Sequence, residues 1–433
     1  MKYIADFHIH SKYSRATAHD ISVEKLDQWA KIKGIQILGT GDFTHPKWFS
    51  ELKEQLIPAQ EGLYKLPNKN SATNFILTAE ISCIYKKNNK TRRIHLVIFA
   101  PDFETAEKIN QNLGEKYNLK SDGRPILGLD AKELVKILLD ISPKIFIVPA
   151  HIWTPWFSLF GSMSGFDSVE ECFEEMTPNI YALETGLSSD PLMNWQWSYL
   201  DKYTLISNSD AHSPSKLGRE ANVFEFSQEP NYSDIIEGIK NRAIPRKSAS
   251  SQCKSALIST IEFFPEEGKY HFDGHRDCKI RMTPTETKKA GGLCPKCRRP
   301  MTIGVAYRVA ALADRKEAIK PKDAPDFKSL IPLTEIIHEV KKIEKLKSVE
   351  LEYQNLTEKG HGEFNVLLNL SEKELTDIST PLLAQAIIKM RNGEVVKEAG
   401  YDGVFGKISV FGKESQIIKT FQKKLTNQKS LFK

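Results

Sequence analysis

Asp6-Phe7-His8-Ile9-His10 opens a series of metal-ligating side chains that ends at Ser209-Asp210-Ala211-His212. Two histidines at i and i+2 on a strand project to the same side, so His8 and His10 can share one cation. Between these ends come Asp42 and His45 within Gly41–His45, then Glu80, His95, His151 and Glu184. Most of them close a run of β-branched or aliphatic residues. A single histidine or carboxylate at a strand end is more often a cap or a core residue than a ligand. A whole set at successive strand ends is a different matter, and it points to strands converging on a polynuclear metal centre.

The elements around these residues alternate. Strands are expected at Tyr3–His8, Ile35–Thr40, Phe75–Ile84, Arg93–Phe99, Ile145–Ala150, Ile180–Glu184 and Thr204–Ser207, with Asn222–Phe226 following. Helical periodicity separates them at Ser22–Lys33, Trp48–Leu56, Glu104–Leu113, Ala131–Asp140 and Asp190–Leu200, and Lys86–Lys90 reads as a hairpin turn. This alternation predicts an α/β fold with largely parallel strands, its functional residues at the C-terminal rim. At 433 residues the chain exceeds what one core usually serves. We divide it into residues 1–250, which carry the candidate metal ligands; 251–304, a small domain bearing the Cys-Pro-Lys-Cys motif; and 305–433, a helix-rich C-terminal region.

Composition excludes some classes. A hydrophobic share of 40% with 27% charged residues fits a soluble globular protein, and no apolar run is long enough to span a membrane. The N-terminus enters a strand directly, without a signal-peptide apolar region, so a cytoplasmic location is expected. The net charge of +6 is too small to prove a polyanionic partner. Lys and Arg do concentrate between Lys279 and Lys347, however, as a nucleic-acid surface or a solvated face would have them. The six cysteines do not make a disulfide framework in such a chain; Cys83 and Cys172 read as buried core thiols. Cys278, Cys294 and Cys297 read as zinc ligands, because Cys-Pro-Lys-Cys is a metal knuckle. His275 is favoured as the fourth ligand, with His271 and Asp273 also in reach.

His8-Ile9-His10, Gly41–His45, Glu80, His95, His151 and Asp210-Ala211-His212 resemble the motifs of the PHP (polymerase and histidinol phosphatase) superfamily. The resemblance implies a distorted seven-stranded (β/α) barrel with two or three divalent metals, Zn, Mn or Mg. It carries over onto His8, His10, Glu80, His95, His151, Asp210 and His212. The second motif departs from the pattern: Phe43 follows Asp42 where a histidine is usual, so Asp42 and His45 are alternatives there. An imidazole–carboxylate set suits Zn²⁺, Mn²⁺ or Fe²⁺ better than an all-oxygen Mg²⁺ shell. Phosphoester hydrolysis is the expected reaction, with Glu80 bridging cations, Asp210 beside the attacking water and His151 among the catalytic residues.

Across nearly the whole chain the sequence also resembles the endonuclease Q family of PHP-domain DNA repair nucleases. The likeness rests on Gly39–Pro46, Ala150–Phe157, Ser209–Pro214, the Asp273–Arg276 and Cys294–Cys297 module, Arg308–Arg315 and Gly400–Gly406. It implies cleavage of double-stranded DNA on the 5′ side of a deaminated base (uracil, hypoxanthine, xanthine) or an abasic site, leaving 3′-hydroxyl and 5′-phosphate ends. Trp153, Trp156 and Phe157 follow His151 in an aromatic loop. They either contact an extruded base and the gap it leaves, or pack on neighbouring helices. Arg298, Arg299, Arg308 and the lysine-rich tail are candidates for duplex phosphates, and Gln428–Lys433 is a faint relative of a sliding-clamp-binding peptide. The competing readings are a small-molecule phosphatase and a non-catalytic helicase-associated DNA-binding protein. The first leaves the accessory regions unexplained; for the second, no GxxxxGK[ST] is present to support helicase chemistry.

Overall fold

The computed structural model describes residues 1–69, 71–240, 255–341 and 346–412. The 250/251 boundary and the clamp-like tail at Gln428–Lys433 lie outside the described residues. In chain order the main elements begin with strand β1 (Lys2–Asp6), helix α1 (Val23–Lys33), β2 (Ile37–Gly39), α2 (Pro46–Gln55), β3 (Asn74–Lys87) and β4 (Lys90–Ala100). Next come α3 (Phe103–Gly114), α4 (Ala131–Ile141), β5 (Phe146–Pro149), β6 (Ala182–Glu184), β7 (Thr204–Ile206), β8 (Ala221–Phe226) and β9 (Ser255–Glu262). Local chemistry sets these boundaries. Ser22, Asp102 and Asp130 cap α1, α3 and α4 by accepting a backbone N–H of the first turn. The β3–β4 hairpin turns at Asn88 and Asn89, both at positive φ, as a two-residue turn between twisted strands requires.

β1 pairs in parallel with β2, and β2 with β3; β4 returns antiparallel from β3, and β5 is antiparallel to β4. β6 and β7 form a parallel pair. Hydrogen bonds just past the strand ends join these groups. Ile152 N donates to Glu184 O at 3.0 Å, and His10 N donates to Ala211 O at 2.9 Å. A parallel bridge between Ile9 and Ala211 brings the segment after β7 back beside β1. All seven strands or their immediate extensions send apolar side chains into one cluster, including Ala5, Ile37, Ile76, Val97, Val148, Ala182 and Ile206. β8 lies antiparallel on the other side of β1, and β9 and Asp326–Ser329 extend the sheet.

The expected helix at Asp190–Leu200 is instead a single turn, Pro191–Asn194, followed by a 3₁₀ turn at Ser198–Lys202. Asn194 explains the break: its amide donates to Asp190 O and its Oδ1 accepts from Trp153 Nε1 at 2.8 Å. The chain then turns so that both Trp195 and Trp197 are buried. Between residues 333 and 391 the described residues are mostly helical, and Lys33 joins them to α1 through a buried ion pair with Glu363 at 2.5 Å. Asp273–His275 and Ile280–Met282 form a small hairpin closed by the Gly400–Gly406 segment, which accordingly has a structural place. Phe272 N donates to Gly400 O, and Asp402 accepts from Arg276 N and Thr302 Oγ1. A Cβ on Gly274 would lie 2.4 Å from the Tyr401 ring, so only glycine fits there. Cys83 and Cys172 are fully buried, as expected. No helix among the described residues is long and apolar enough to cross a membrane.

Candidate metal centre and cysteine–histidine cluster

The strand ends bring the predicted ligands together in two groups. Ligand atoms of His8, His10, Glu80 and Asp210 lie within 4.8 Å of one another, and so do those of Glu80, His95 and His151. Glu80 is common to both. Its Oε2 faces His8 Nε2 (3.5 Å) and His10 Nε2 (3.3 Å), while its Oε1 faces His95 Nδ1 (2.5 Å) and His151 Nε2 (3.2 Å). Asp210 Oδ1 is 3.0 Å from His10 Nε2 and 3.7 Å from His8 Nε2. His212 stands at the mouth, its ring 4.5 Å from that of His10, with Nδ1 donating to Asp210 O at 2.9 Å.

Asp42 and Glu184 sit behind the histidines. Glu184 takes His8 Nδ1 at 3.0 Å, His151 N at 2.8 Å and Asn208 Nδ2 at 2.9 Å. Asp42 takes His10 Nδ1 at 3.1 Å and, through Oδ2, the amide and hydroxyl of Ser11 and the hydroxyl of Ser14. Each carboxylate thereby fixes a ring so that Nε2 points into the centre, the arrangement that orients metal-binding imidazoles. His45 is elsewhere: it is stacked on Tyr13 at 4.3 Å and stands at the start of α2. Asp42, His151 and Asp210 all have positive φ despite being non-glycine, so three residues at the centre hold a strained backbone.

Burial disfavours the charged forms of His8 and His10, yet their acidic neighbours raise both pKa values well above normal: Glu184 and Glu80 for His8, mainly Asp42 for His10. Burial also opposes ionisation of Glu80, but His95, Arg124 and His8 hold it well below the carboxylate range. For His95 burial prevails, lowering its pKa to about 4 against the pull of Glu80. The donor set suits divalent transition metals: mixed imidazole and carboxylate, Nε2 directed by carboxylates behind it, and a buried His8 Nε2 with no hydrogen-bond partner.

Arg124 joins the centre without any signal in the sequence. Its Nη1 is 3.0 Å from Glu80 Oε2, on a loop between α3 and α4 that has no periodicity to read. That loop lies tightly over the centre. Gly123 N donates to Tyr13 O, Asp122 pairs with Arg15, and a Cβ on Gly123 would be 2.2 Å from Asp42 Oδ2. Asn208, which binds Glu184, was also missed, because a buried asparagine between strand end and ligand motif carries no spacing signal.

The second cluster gathers His275, Cys278, Cys294 and Cys297, again with ligand atoms within 4.8 Å. His271 and Asp273 are turned away: His271 is buried against Phe272, and Asp273 accepts from Gly304 N at 2.7 Å. Of the loop aromatics, Trp153 takes the packing alternative, buried against Phe160 and Trp197. Trp156 is half-buried beside Tyr270 (5.5 Å), and Phe157 lies 4.8 Å from His95. Arg308, a candidate phosphate contact, donates instead to Phe160 O and Phe166 O and pairs with Asp167, pinning this loop.

No protein-family model matches the chain. Among solved structures it is similar to the lesion-specific endonuclease PfuEndoQ of Pyrococcus furiosus, with 30% identity and a TM-score of 0.81, over 94% of this chain and 95% of that one. Endonuclease Q in complex with a 27-mer duplex carrying an abasic lesion at the active site gives the same identity and TM-score, over 94% and 96%. The uncharacterized Methanocaldococcus jannaschii protein MJ0043 is 34% identical over 262 residues, 60% of this chain but only 31% of that relative's length. The uncharacterized Bacillus subtilis protein YqxK is 29% identical over 94% of this chain and 99% of its own. With 30% identity maintained over nearly the full length of both chains, the protein belongs to the endonuclease Q family.

Proposed function

We propose that the protein is a metal-dependent DNA repair endonuclease. It hydrolyses the phosphodiester on the 5′ side of a deaminated base (uracil, hypoxanthine or xanthine) or an abasic site in duplex DNA, leaving 3′-hydroxyl and 5′-phosphate ends. The observation that carries this reading is the pair of ligand groups sharing Glu80, in a chain that resembles endonuclease Q from end to end. The endonuclease Q complex with an abasic duplex supports the lesion class. In this reading the seven strands are a distorted PHP barrel, the Cys/His cluster holds a structural zinc, and the helical C-terminal region belongs to the DNA-binding part.

His8, His10, Asp210 and His212 would hold divalent metal on one side of Glu80, and His95 and His151 on the other, with Asp42 and Glu184 holding the rings in place. Bound divalent cations supply Lewis acidity, readying water for in-line attack and offsetting phosphate charge. Asp210 is the carboxylate that reaches solvent, its side chain 26% exposed against 0% for Glu80. It is therefore the carboxylate placed beside the attacking water, where it would orient that water. Phe157 borders the second group at His95, and with Trp156 beside it would face the nucleotide next to the cut.

The test uses end-labelled duplexes carrying one deoxyuridine, deoxyinosine or abasic site, with Mg²⁺ or Mn²⁺. A single nick 5′ to the lesion is expected, absent with Asp210→Asn protein and on undamaged duplex. Turnover of small phosphate esters without any nick would overturn the reading.

A further inference from the structure

Arg124 puts a permanent positive charge among the acidic groups of the centre, yet the guanidinium is only partly spent. Nη1 donates to Glu80 Oε2, and among the described residues its side chain donates to nothing else. The side chain is 26% exposed, so the guanidinium remains open to solvent beside the centre. The strap that carries it is fixed on both sides, by Gly123 against Asp42 and by Thr44 Oγ1 donating to Gly123 O at 3.3 Å. A positioned guanidinium with a free edge is the side chain best matched to two oxygens of one phosphate.

We infer that Arg124 is a catalytic residue that grips the scissile phosphate, holding Glu80 with one edge and the non-bridging phosphate oxygens with the other. The inference rests on the endonuclease reading and adds a residue to it. During hydrolysis the oxygen of water bonds to phosphorus, the bond from phosphorus to O3′ breaks, and the proton of water ends on O3′. Arg124 gains and loses no proton in this exchange. Its donors meet charge that grows on the non-bridging oxygens, where fixed donors accelerate the reaction most. A plain counter-charge for Glu80 would leave the free edge without purpose and would serve equally well as lysine.

The experiment compares full-length, metal-loaded wild type with Arg124→Ala and Arg124→Lys, and with Arg15→Ala as a neighbouring control. Single-turnover cleavage at saturating protein should slow by about 10²–10³-fold in Arg124→Ala, while thermal melting and metal content hold. Guanidinium ion added at low millimolar concentration should restore part of that rate, which no purely structural role would allow. Calorimetry with inorganic phosphate as probe should show affinity falling by about tenfold or more in Arg124→Ala, with lysine recovering only part because it lacks the fork. Cleavage by Arg124→Ala within about threefold of wild type, with unchanged phosphate affinity, would overturn the inference and leave the endonuclease reading standing. If wild type nicks no lesion duplex but binds inorganic phosphate through Arg124, the endonuclease reading fails and the phosphate grip remains.

Discussion

The two ligand clusters invite comparison, because similar residues sit in opposite relations to the fold. In the central cluster, candidate ligands from His8 to Asp210 lie on or just past strands whose apolar side chains already form one core. In the Cys/His cluster, all four ligands come from His275 to Cys297. Between residues 271 and 301 only two apolar side chains among the described residues are buried, Cys294 and, less completely, Met301. The core therefore builds the first site, whereas the second site must build its own surroundings. A segment this poor in core depends on a staple.

Removing the staple proposed there should give the largest effect. Structural zinc in small modules contributes on the order of 10 kcal/mol of apparent folding energy. Cys294→Ser should therefore open residues 271–301 to trypsin at the lysines and arginines around the knuckle, with the main melting transition retained. A single cooperative loss of both would mean that the two regions do not differ as described. The central cluster should respond in the opposite sense. Asp210→Asn should lower lesion cleavage by about 10²–10³-fold with little change in melting temperature, since its site is held by the core. Unfolding of Asp210→Asn protein would break the comparison from the other side.

The same contrast explains what the sequence disclosed. The central histidines, Glu80 and Asp210 were legible because strand ends repeat, and CysXXCys was legible because its spacing is local. Which members point inward was not. Asp42 and Glu184 read as ligands; in the structure the His10 and His8 rings contact them through Nδ1, and serine hydroxyls reach Asp42, a placement that no spacing encodes. Arg124 was hidden in an irregular loop, and Asp190–Leu200 followed helical periodicity that Asn194 and its side-chain hydrogen bonds override. Arg308 belongs to a basic stretch, yet its donors go to the backbone of the aromatic loop.

That loop allows a finer division. Trp153 is core: Trp153→Ala should cost about 3–5 kcal/mol, read as a lower denaturation midpoint. Trp156 is only half-buried, against Tyr270. Trp156→Ala should weaken lesion cleavage more than it weakens stability. Equal loss in both variants would place the whole loop with the core and remove Trp156 from any role at the cut.

The smallest effect concerns pH, and there the two regions should move in opposite directions. The β8–β9 register pairs Ala221 with Ile261, which sets Glu220 opposite Glu262, both fully buried and neither ion-paired among the described residues. Burial raises Glu262 to about 8 even though Thr260, Ser207 and Thr185 donate hydroxyls to it. Burial and the facing Glu262 raise Glu220 as well. Below about pH 4.5 folded and unfolded chains are both protonated at Glu262, and nothing is lost. Between there and about pH 8 the unfolded chain releases a proton that the folded chain keeps, so stability falls as pH rises, and it levels off above that. Asp6 and Asp190, each raised to about 6 by burial, add to the same slope, so the Glu262→Gln variant is needed to isolate the pair. Melting temperature should drop by several degrees from pH 5 to pH 8 in wild type and by less in Glu262→Gln. The Cys/His cluster should do the reverse, losing metal as acid protonates its ligands. Identical slopes in wild type and Glu262→Gln would mean that the facing carboxyls do not keep their proton, and that the sheet carries no pH response of its own at this pair.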